Sequence, residues 1–308
     1  MSDPSGKPFT GVIPILATPF HANESIDFDS WRRTIEFMLA VGVDGLTVAG
    51  VLGEADRLTD HERISLIDAA ARVVDGRVPL IAGVSHRGTH AALTLAKSAH
   101  DAGATAIMVA PQKEATPSEE RIFETYSRLA AEASMPIIVQ DHPASTDVHM
   151  SVGLISRIAN ELPAVRAIKA EAVPVGPKIA AIKSQLNRPV SILAGLGALY
   201  APFDLASGAD GFNTGFAFPE ALQAMIAAQR AGSLPLLDAH FARFAALIVL
   251  EQQPGVAIRK EILRRRGLFS TSTVRHPGAP LSPHAAATLT ALLDRTFSGV
   301  DIRQRIEP

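Results

Sequence analysis

Lys169 closes an apolar run, Val165-Arg166-Ala167-Ile168, and a lysine in that position can do carbonyl chemistry. At the end of a buried strand its ammonium would meet a low dielectric, which disfavours the charged form and lowers the pKa. A neutral amine attacks a carbonyl carbon to give a Schiff base, and the protonated imine then weakens the bonds beside it. The same residue types also allow a purely structural ion pair between Lys169 and Glu171 or Asp141, and both readings stay open on the residues alone.

Other reactive groups follow other apolar runs: Thr18, the segment Gly50-Val51-Leu52-Gly53-Glu54, Ser85-His86, Pro111-Gln112-Lys113, Gln140-Asp141-His142, Gly195 and Thr214. Asp141 and His142 are candidates for general acid–base work next to an imine. A turn cap and a loop residue before Pro143 are their ordinary alternatives. Successive backbone N–H groups at Val51, Leu52 and Gly53 could cradle the carboxylate of a 2-oxo acid. The Glu54 side chain is read more readily as a shaper of that loop, bonded to its backbone donors. Gln140, Gly195 and Thr214 complete the candidate substrate-binding set. His86 and His90 have i,i+4 spacing without an evident third ligand, so no metal is expected.

The elements that must position these groups show themselves by alternation. Short apolar runs recur about every 20 to 30 residues, separated by segments of helical spacing, the pattern of a parallel sheet. The runs are 12–16, 45–49, 79–82, 106–109, 136–139, 165–168, 190–193 and 211–213. They are mostly apolar rather than alternating, as strands covered on both faces are. Helices are predicted over 28–40, 60–74, 89–102, 118–133, 151–160, 175–186 and 198–207, with Thr59 and Glu62 forming a capping box. Val41-Gly42-Val43-Asp44-Gly45, Asp101-Ala102-Gly103-Ala104-Thr105 and Ser207-Gly208-Ala209-Asp210-Gly211 reuse one helix-to-strand turn. Eight such units predict an α/β fold, a (β/α)₈ TIM barrel over 8–218 with a C-terminal helical extension over 219–308. Within the extension, 219–266 and 283–297 read as helices and 267–283 as a loop. In such a barrel the reactive residues lie at the C-terminal ends of the strands.

Composition narrows the classes. Of the 308 residues 47% are hydrophobic and 19% charged, with a formal net charge of −2, the balance of an ordinary globular protein. No cysteine is present, which excludes disulfides, thiolate catalysis and Cys-ligated zinc. The dense basic run, Arg259-Lys260 with Arg264-Arg265-Arg266, is expected on a solvated or subunit-facing helix surface; no nucleic-acid partner is expected. Neither a signal peptide nor an apolar span of about 18 residues is visible, so a cytoplasmic protein without a membrane partner is expected.

Three segments resemble the dihydrodipicolinate synthase/N-acetylneuraminate lyase family of pyruvate-handling class I aldolases and lyases. They are Gly50-Val51-Leu52-Gly53-Glu54 with Leu58-Thr59 and Glu62-Arg63, then Val165 to Lys169, then Gly208-Ala209-Asp210-Gly211 with Gly215 and Pro219. The resemblance runs from about Phe9 to Ala231. It implies a Schiff base on Lys169, no cofactor beyond that covalent lysine, a small 2-oxo acid substrate and a homotetramer built from dimers. The departures are specific. The family's Tyr-Asn pair after strand five is Gln140-Asp141 here, so the proton-relaying tyrosine is missing. The synthases' arginine after the following proline is Ser145, their hydroxyl-bearing loop pair is Val51-Leu52, and no tyrosine stands in Pro111-Gln112-Lys113-Glu114. A dihydrodipicolinate synthase is therefore not expected. Gln140-Asp141 followed by Pro143 is similar to sugar-acid dehydratases of the family, notably 2-keto-3-deoxy-L-arabonate dehydratase. The expected activity is a hydro-lyase acting on a 2-keto-3-deoxy sugar acid. The alternatives are a pyruvate-dependent aldolase, a phosphate-binding barrel isomerase using Gly195 and Gly215, and a non-catalytic or regulatory relative.

Overall fold

Every one of the eight apolar runs contributes a parallel strand to one closed sheet. The structure is a computed structural model that describes residues 9–253 and 255–308. In chain order the elements are β1 (Gly11–Val12), α1 (Phe28–Val41), β2 (Leu46–Val48), α2 (Asp60–Val74), β3 (Leu80–Gly83), α3 (Thr89–Asp101), β4 (Ala106–Val109) and α4 (Glu119–Glu132). There follow β5 (Ile137–Asp141), the single turn α5 (Pro143–Thr146), α6 (Val152–Glu161), β6 (Val165–Ala170), α7 (Val175–Gln185), β7 (Ser191–Ala194), α8 (Ala201–Ala206) and β8 (Gly211–Phe212). The chain ends in α9 (Pro219–Arg230), α10 (Leu234–Gln252), α11 (Val256–Arg265) and α12 (Pro283–Thr296).

The strands run β1-β8-β7-β6-β5-β4-β3-β2, and the ring closes where Ile15 bridges Thr47 in parallel, with Leu16 N–H donating to Thr47 O at 2.9 Å. Strand β1 is shorter than its apolar run because Pro14 has no N–H to give the ladder. Ile13 and Ile15 still donate to Phe212 O and Thr214 O across the seam. This is the (β/α)₈ barrel with a C-terminal helical extension. Among the described residues no helix is long and apolar enough to cross a membrane.

The reused turn has a common physical basis. Gly42, Gly103 and Gly208 all take positive φ (82°, 96° and 98°), open to glycine without a Cβ penalty. The next N–H reaches back five residues each time: Val43 to Met38, Ala104 to Ala99, Ala209 to Asp204. The side chain two residues after the glycine then accepts the N–H of a neighbouring strand. Asp44 takes Val12 at 2.8 Å, Thr105 takes Leu80 at 2.9 Å and Asp210 takes Ile192 at 2.8 Å. Each turn thus ends a helix and pins a strand on the face opposite the barrel mouth.

The pleat sorts the strand residues. Phe9, Ile13, Ile81, Ala106, Met108, Ile138, Ala167 and Leu193 form one cluster inside the barrel. Ile107, Val139, Ile168 and Ile192 pack outward under the helices. Gln140 and Lys169 are register partners two residues beyond Ile138 and Ala167, so they continue the inward series into the mouth. Asp141 and Ala170, the next pair, turn outward.

Helix α9 packs against β1 and beside α1 and α8, the place of the eighth barrel helix, so the division at residue 218 falls before it. The expected helical stretch 219–266 is three helices, broken near Gly232 and Gly255, both at positive φ. Phe216 and Phe218 meet Phe244 and Phe297 with ring centroids 4.6–6.4 Å apart, which joins the extension to the barrel. The basic run reaches solvent only at Arg264 and, in part, Arg265. Arg259, Lys260 and Arg266 are at most 2% exposed, and each is paired, to Glu251, Glu54 and Glu220 respectively. Run density misleads here because α11 is enclosed between the barrel and the remaining helices. Three acidic side chains, 8 to 206 residues away along the chain, offset the buried cations.

Candidate active site

The amine of Lys169 is 1% exposed and lies 3.1 Å from Glu171 Oε2. Burial pushes its pKa below the ordinary lysine value; Glu171 opposes that shift, and the like charge of Arg259 adds to it. Glu171 is also buried, which works against its charge. The Lys169 and His142 charges and the hydrogen bonds from Gln140 and Leu196 nonetheless hold its pKa below the usual carboxylate range. Gln140 Nε2 donates to Glu171 Oε2 at 2.7 Å, and Leu196 N–H donates to Oε1 at 3.2 Å. Gly195 makes this possible, because a Cβ there would overlap the Glu171 carboxylate. Lys169 therefore is ion-paired, as the structural reading of the sequence allowed. The partner, however, is a carboxylate at proton-transfer distance from the amine.

His142 is half-buried, with Nδ1 2.6 Å from Ser145 Oγ. Burial lowers its pKa; Glu171 and Asp141 oppose that shift and the Lys169 charge adds to it. Asp141 does not join this group. It projects from the opposite face of β5 and is fully buried, with Lys178 Nζ of α7 2.6 Å from its Oδ2. Its Oδ1 has no hydrogen-bond partner, and burial raises its pKa while Lys178 opposes. The physical reason is the period of two: residues 140 and 141 cannot both face the mouth.

The segment Gly50 to Glu54 is a 3₁₀ turn over Val51–Gly53 at the barrel mouth. Val51 and Leu52 begin the turn, so their N–H groups have no acceptor within it. Gly53 sits close under Leu16 O, and Thr18 Oγ1 donates to Gly53 O at 2.6 Å. The Glu54 carboxylate is turned away from the mouth toward Lys260, Arg57 at 2.6 Å and the Arg275 N–H at 3.1 Å. Its side chain thus shapes the loop and is not free for substrate. Thr214 also faces away from the barrel axis, where its hydroxyl accepts the Gly197 N–H at 2.8 Å. The inward residue is its neighbour Asn213, bonded to Ile13 O and Thr47 Oγ1.

A cavity of about 50 Å³ opens over this floor, lined by Gly50, Val51, Ser85, Gln112, Gln140 and Ser145 among others. Gln140 is its link to Lys169 and Glu171, since neither of those borders it directly. A larger space of about 400 Å³ lies outside the ring against α3 and α4, lined by residues such as Arg87, Arg121 and Tyr126. The smaller one is the candidate site, because its lining residue Gln140 is bonded to Glu171 of the Lys169 pair. Neither of the two tyrosines stands there: Tyr126 is buried on α4 with its hydroxyl on Val109 O, and Tyr200 lines a groove beside Phe203. Among the described residues no group of three or more His, Cys, Asp or Glu side chains could hold a metal ion. Glu171 is the candidate group that residue patterns missed as chemistry. Its signal was spacing, two residues after Lys169 and on the same face.

A barrel whose mouth holds a buried lysine against a carboxylate has the frame of an enzyme. The chain belongs to the dihydrodipicolinate synthetase family, whose model matches residues 8–296, and it is a lyase. It is 30% identical over 312 residues to L-2-keto-3-deoxyarabonate dehydratase of Azospirillum brasilense, covering 96% of this chain and 97% of that one. It is 36% identical over 203 residues to 4-hydroxy-tetrahydrodipicolinate synthase of Persephonella marina, covering 66% and 68%. The crystal structure of dihydrodipicolinate synthase from Rhodopseudomonas palustris superposes with a TM-score of 0.88 at 33% identity, over 93% of this chain and 97% of that chain.

Proposed function

We propose that this lyase forms a Schiff base between Lys169 and a 2-oxo acid and dehydrates a 2-keto-3-deoxy sugar acid, with Glu171 in the acid–base part. The observation that carries the reading is the buried pair of Lys169 and Glu171, 3.1 Å apart, at a mouth without a tyrosine. Glu171 takes the ammonium proton, and the neutral amine adds to the C2 carbonyl. Glu171 returns that proton to the hydroxyl of the adduct, which leaves as water to give the protonated imine, and the imine acidifies C3. Glu171 removes a C3 proton to give the enamine. The enamine expels the C4 hydroxyl, which leaves as water with a proton returned by Glu171, and hydrolysis of the new imine frees the amine. The substrate carboxylate would lie on the N–H groups of Val51 and Leu52, with Gln140 and the Gly195 backbone beside the imine. Ser85, Gln112 and Ser145 offer hydrogen-bond partners to a hydroxylated tail. His142, held by Ser145, is the second proton-transfer group within electrostatic reach of Glu171. No cofactor beyond the lysine is required.

Similarity along nearly the whole length of a dehydratase supports this reading, as does Ser145 in the place of the synthases' arginine. Aldol cleavage by the same imine is the second reading, favoured by the similarity to a synthase. Pyruvate and borohydride, followed by peptide mapping, should leave a stable adduct on Lys169. Absence of an adduct with pyruvate and with longer 2-oxo acids would end the proposal. In a screen of 2-keto-3-deoxy sugar acids, a product that keeps every carbon means dehydration, and pyruvate with an aldehyde means cleavage. We further propose a cytoplasmic homotetramer. Val173 and Phe203, 64% and 68% exposed around one groove, suit a subunit contact that sedimentation velocity would test.

A further inference from the structure

The turn proposed to hold the substrate carboxylate belongs to the barrel, yet its shape is tied to the C-terminal extension. Ala49 precedes it and Glu54 ends it, and both take positive φ, 56° and 58°. Residues with a Cβ keep that conformation only where the surroundings over-determine it. For Glu54 the surroundings are largely charged. Its carboxylate meets Lys260 from α11, Arg57 at 2.6 Å and the N–H of Arg275 at 3.1 Å. Lys260 is itself fully buried, donates to Thr273 O at 2.8 Å and lies 4.2 Å above the Phe20 ring. Arg275 in turn grips both oxygens of Glu62 at 2.8–2.9 Å and the Arg57 carbonyl at 2.9 Å.

We infer that Lys260 is a positioning residue: it fixes Glu54 and thereby holds the Val51 and Leu52 N–H groups in place, so that the extension sets the substrate affinity of a barrel site it does not touch. The inference rests on the Schiff-base reading above for its link to affinity. Stability alone explains the pair poorly, since a buried ion pair is often no better than apolar groups of similar volume. What the pair supplies is direction, because a carboxylate with several charged donors has one orientation. The charged groups facing the Lys260 ammonium are Glu54, Arg57 and Arg275, the last with Glu62 behind it. Burial lowers the Lys260 pKa to about 8, with Glu54 opposing. The lock is therefore charged below that pH and loses its charge as pH rises through it.

The test uses the full chain with Lys260→Met, Glu54→Gln and Lys260→Arg, and two readouts. One is amide hydrogen exchange over residues 50–58; the other is the pyruvate concentration giving half-maximal borohydride trapping at Lys169. Lys260→Met should exchange the turn at least about tenfold faster and raise the half-saturating pyruvate about tenfold, one factor of ten per 1.4 kcal/mol of lost binding. The limiting amount trapped should stay the same. Glu54→Gln should act in the same direction, and Lys260→Arg should restore both readouts most of the way. In the wild type the half-saturating concentration should climb above pH about 8. Wild-type exchange in both Lys260→Met and Glu54→Gln overturns the inference, as does faster exchange with unchanged half-saturation. If Lys260→Met does not fold, Glu54→Gln carries the same two readouts. If the wild type is not trapped, the Schiff-base reading fails on its own, and exchange still decides whether Lys260 sets the turn.

Discussion

Lys169 with Glu171 and Lys260 with Glu54 are the same pair of side chains, buried in different company. Lys260 has a carboxylate, a backbone carbonyl and an aromatic face around its ammonium, and its partner Glu54 has two further donors. Lys169 has one carboxylate partner among the described residues, and the next charge acting on it is the repelling Arg259. Burying an ammonium costs several kcal/mol unless its donors are satisfied. The Lys260 network meets that requirement and leaves no group to spare. The Lys169 pair meets it thinly, beside a polar cavity to which Gln140 links it. An amine held by one exchangeable proton partner is poised for chemistry, whereas one held from three sides is scaffolding. Fold position agrees, since only Lys169 ends a barrel strand at the mouth.

The comparison breaks most sharply at the two lysines. Lys169→Ala should abolish borohydride trapping and lower kcat by roughly three orders of magnitude or more, since among the described residues no second amine lines the cavity. Lys260→Met should still be trapped at saturation. Loss of trapping in both variants would mean that the difference in surroundings has no chemical meaning. Glu171→Gln comes next. It keeps size and can still accept the Leu196 N–H, with the Gln140 amide turning over to accept from the new NH2 group, but it cannot shuttle a proton. Turnover should fall about 10²- to 10⁴-fold while the half-saturating substrate changes little, as for loss of a general acid–base group. Turnover near wild type would return Glu171 to a structural role and leave His142 as the acid–base candidate.

Asp141 is the informative failure of reading from residues alone. At the end of β5, beside Gln140, its type and position suit acid–base work. One step along a strand reverses the face, and the side chain spends its charge on Lys178. Asp141→Asn should therefore change kcat by no more than about threefold while lowering the melting temperature, because it leaves Lys178 facing a neutral group in a buried site. A hundredfold loss of turnover without a change in stability would move Asp141 into the mechanism. The barrel itself was legible: the eight runs, the Thr59–Glu62 capping box and the three glycine turns depend on local pattern, and the structure forms them. Lys169 was legible because a polar residue interrupts an inward apolar series. What local pattern cannot supply is partnership across the fold. Glu54 meets Lys260, 206 residues on, and the basic helix reads as a surface until its acidic partners are in place.

A third buried carboxylate extends the comparison to a group with no cation at all. Asp204 of α8 is 2% exposed, has no ion-pair partner among the described residues, and its Oδ1 has no hydrogen-bond partner. Burial pushes its pKa up to about 7 from an ordinary value of 3.8. The folded chain therefore keeps a proton there that the unfolded chain releases at lower pH. The sign follows from linkage: this contribution to stability is fully present below the unfolded pKa and is lost as pH rises through about 7. Asp204→Asn keeps the shape and removes the titration. The wild-type melting temperature should fall, relative to that of the variant, by several degrees between about pH 5 and pH 8, with turnover unaffected. Parallel melting curves across that range would mean that Asp204 is charged in the folded protein and that water, or a small shift of α8, serves as the partner the two lysine pairs have built in.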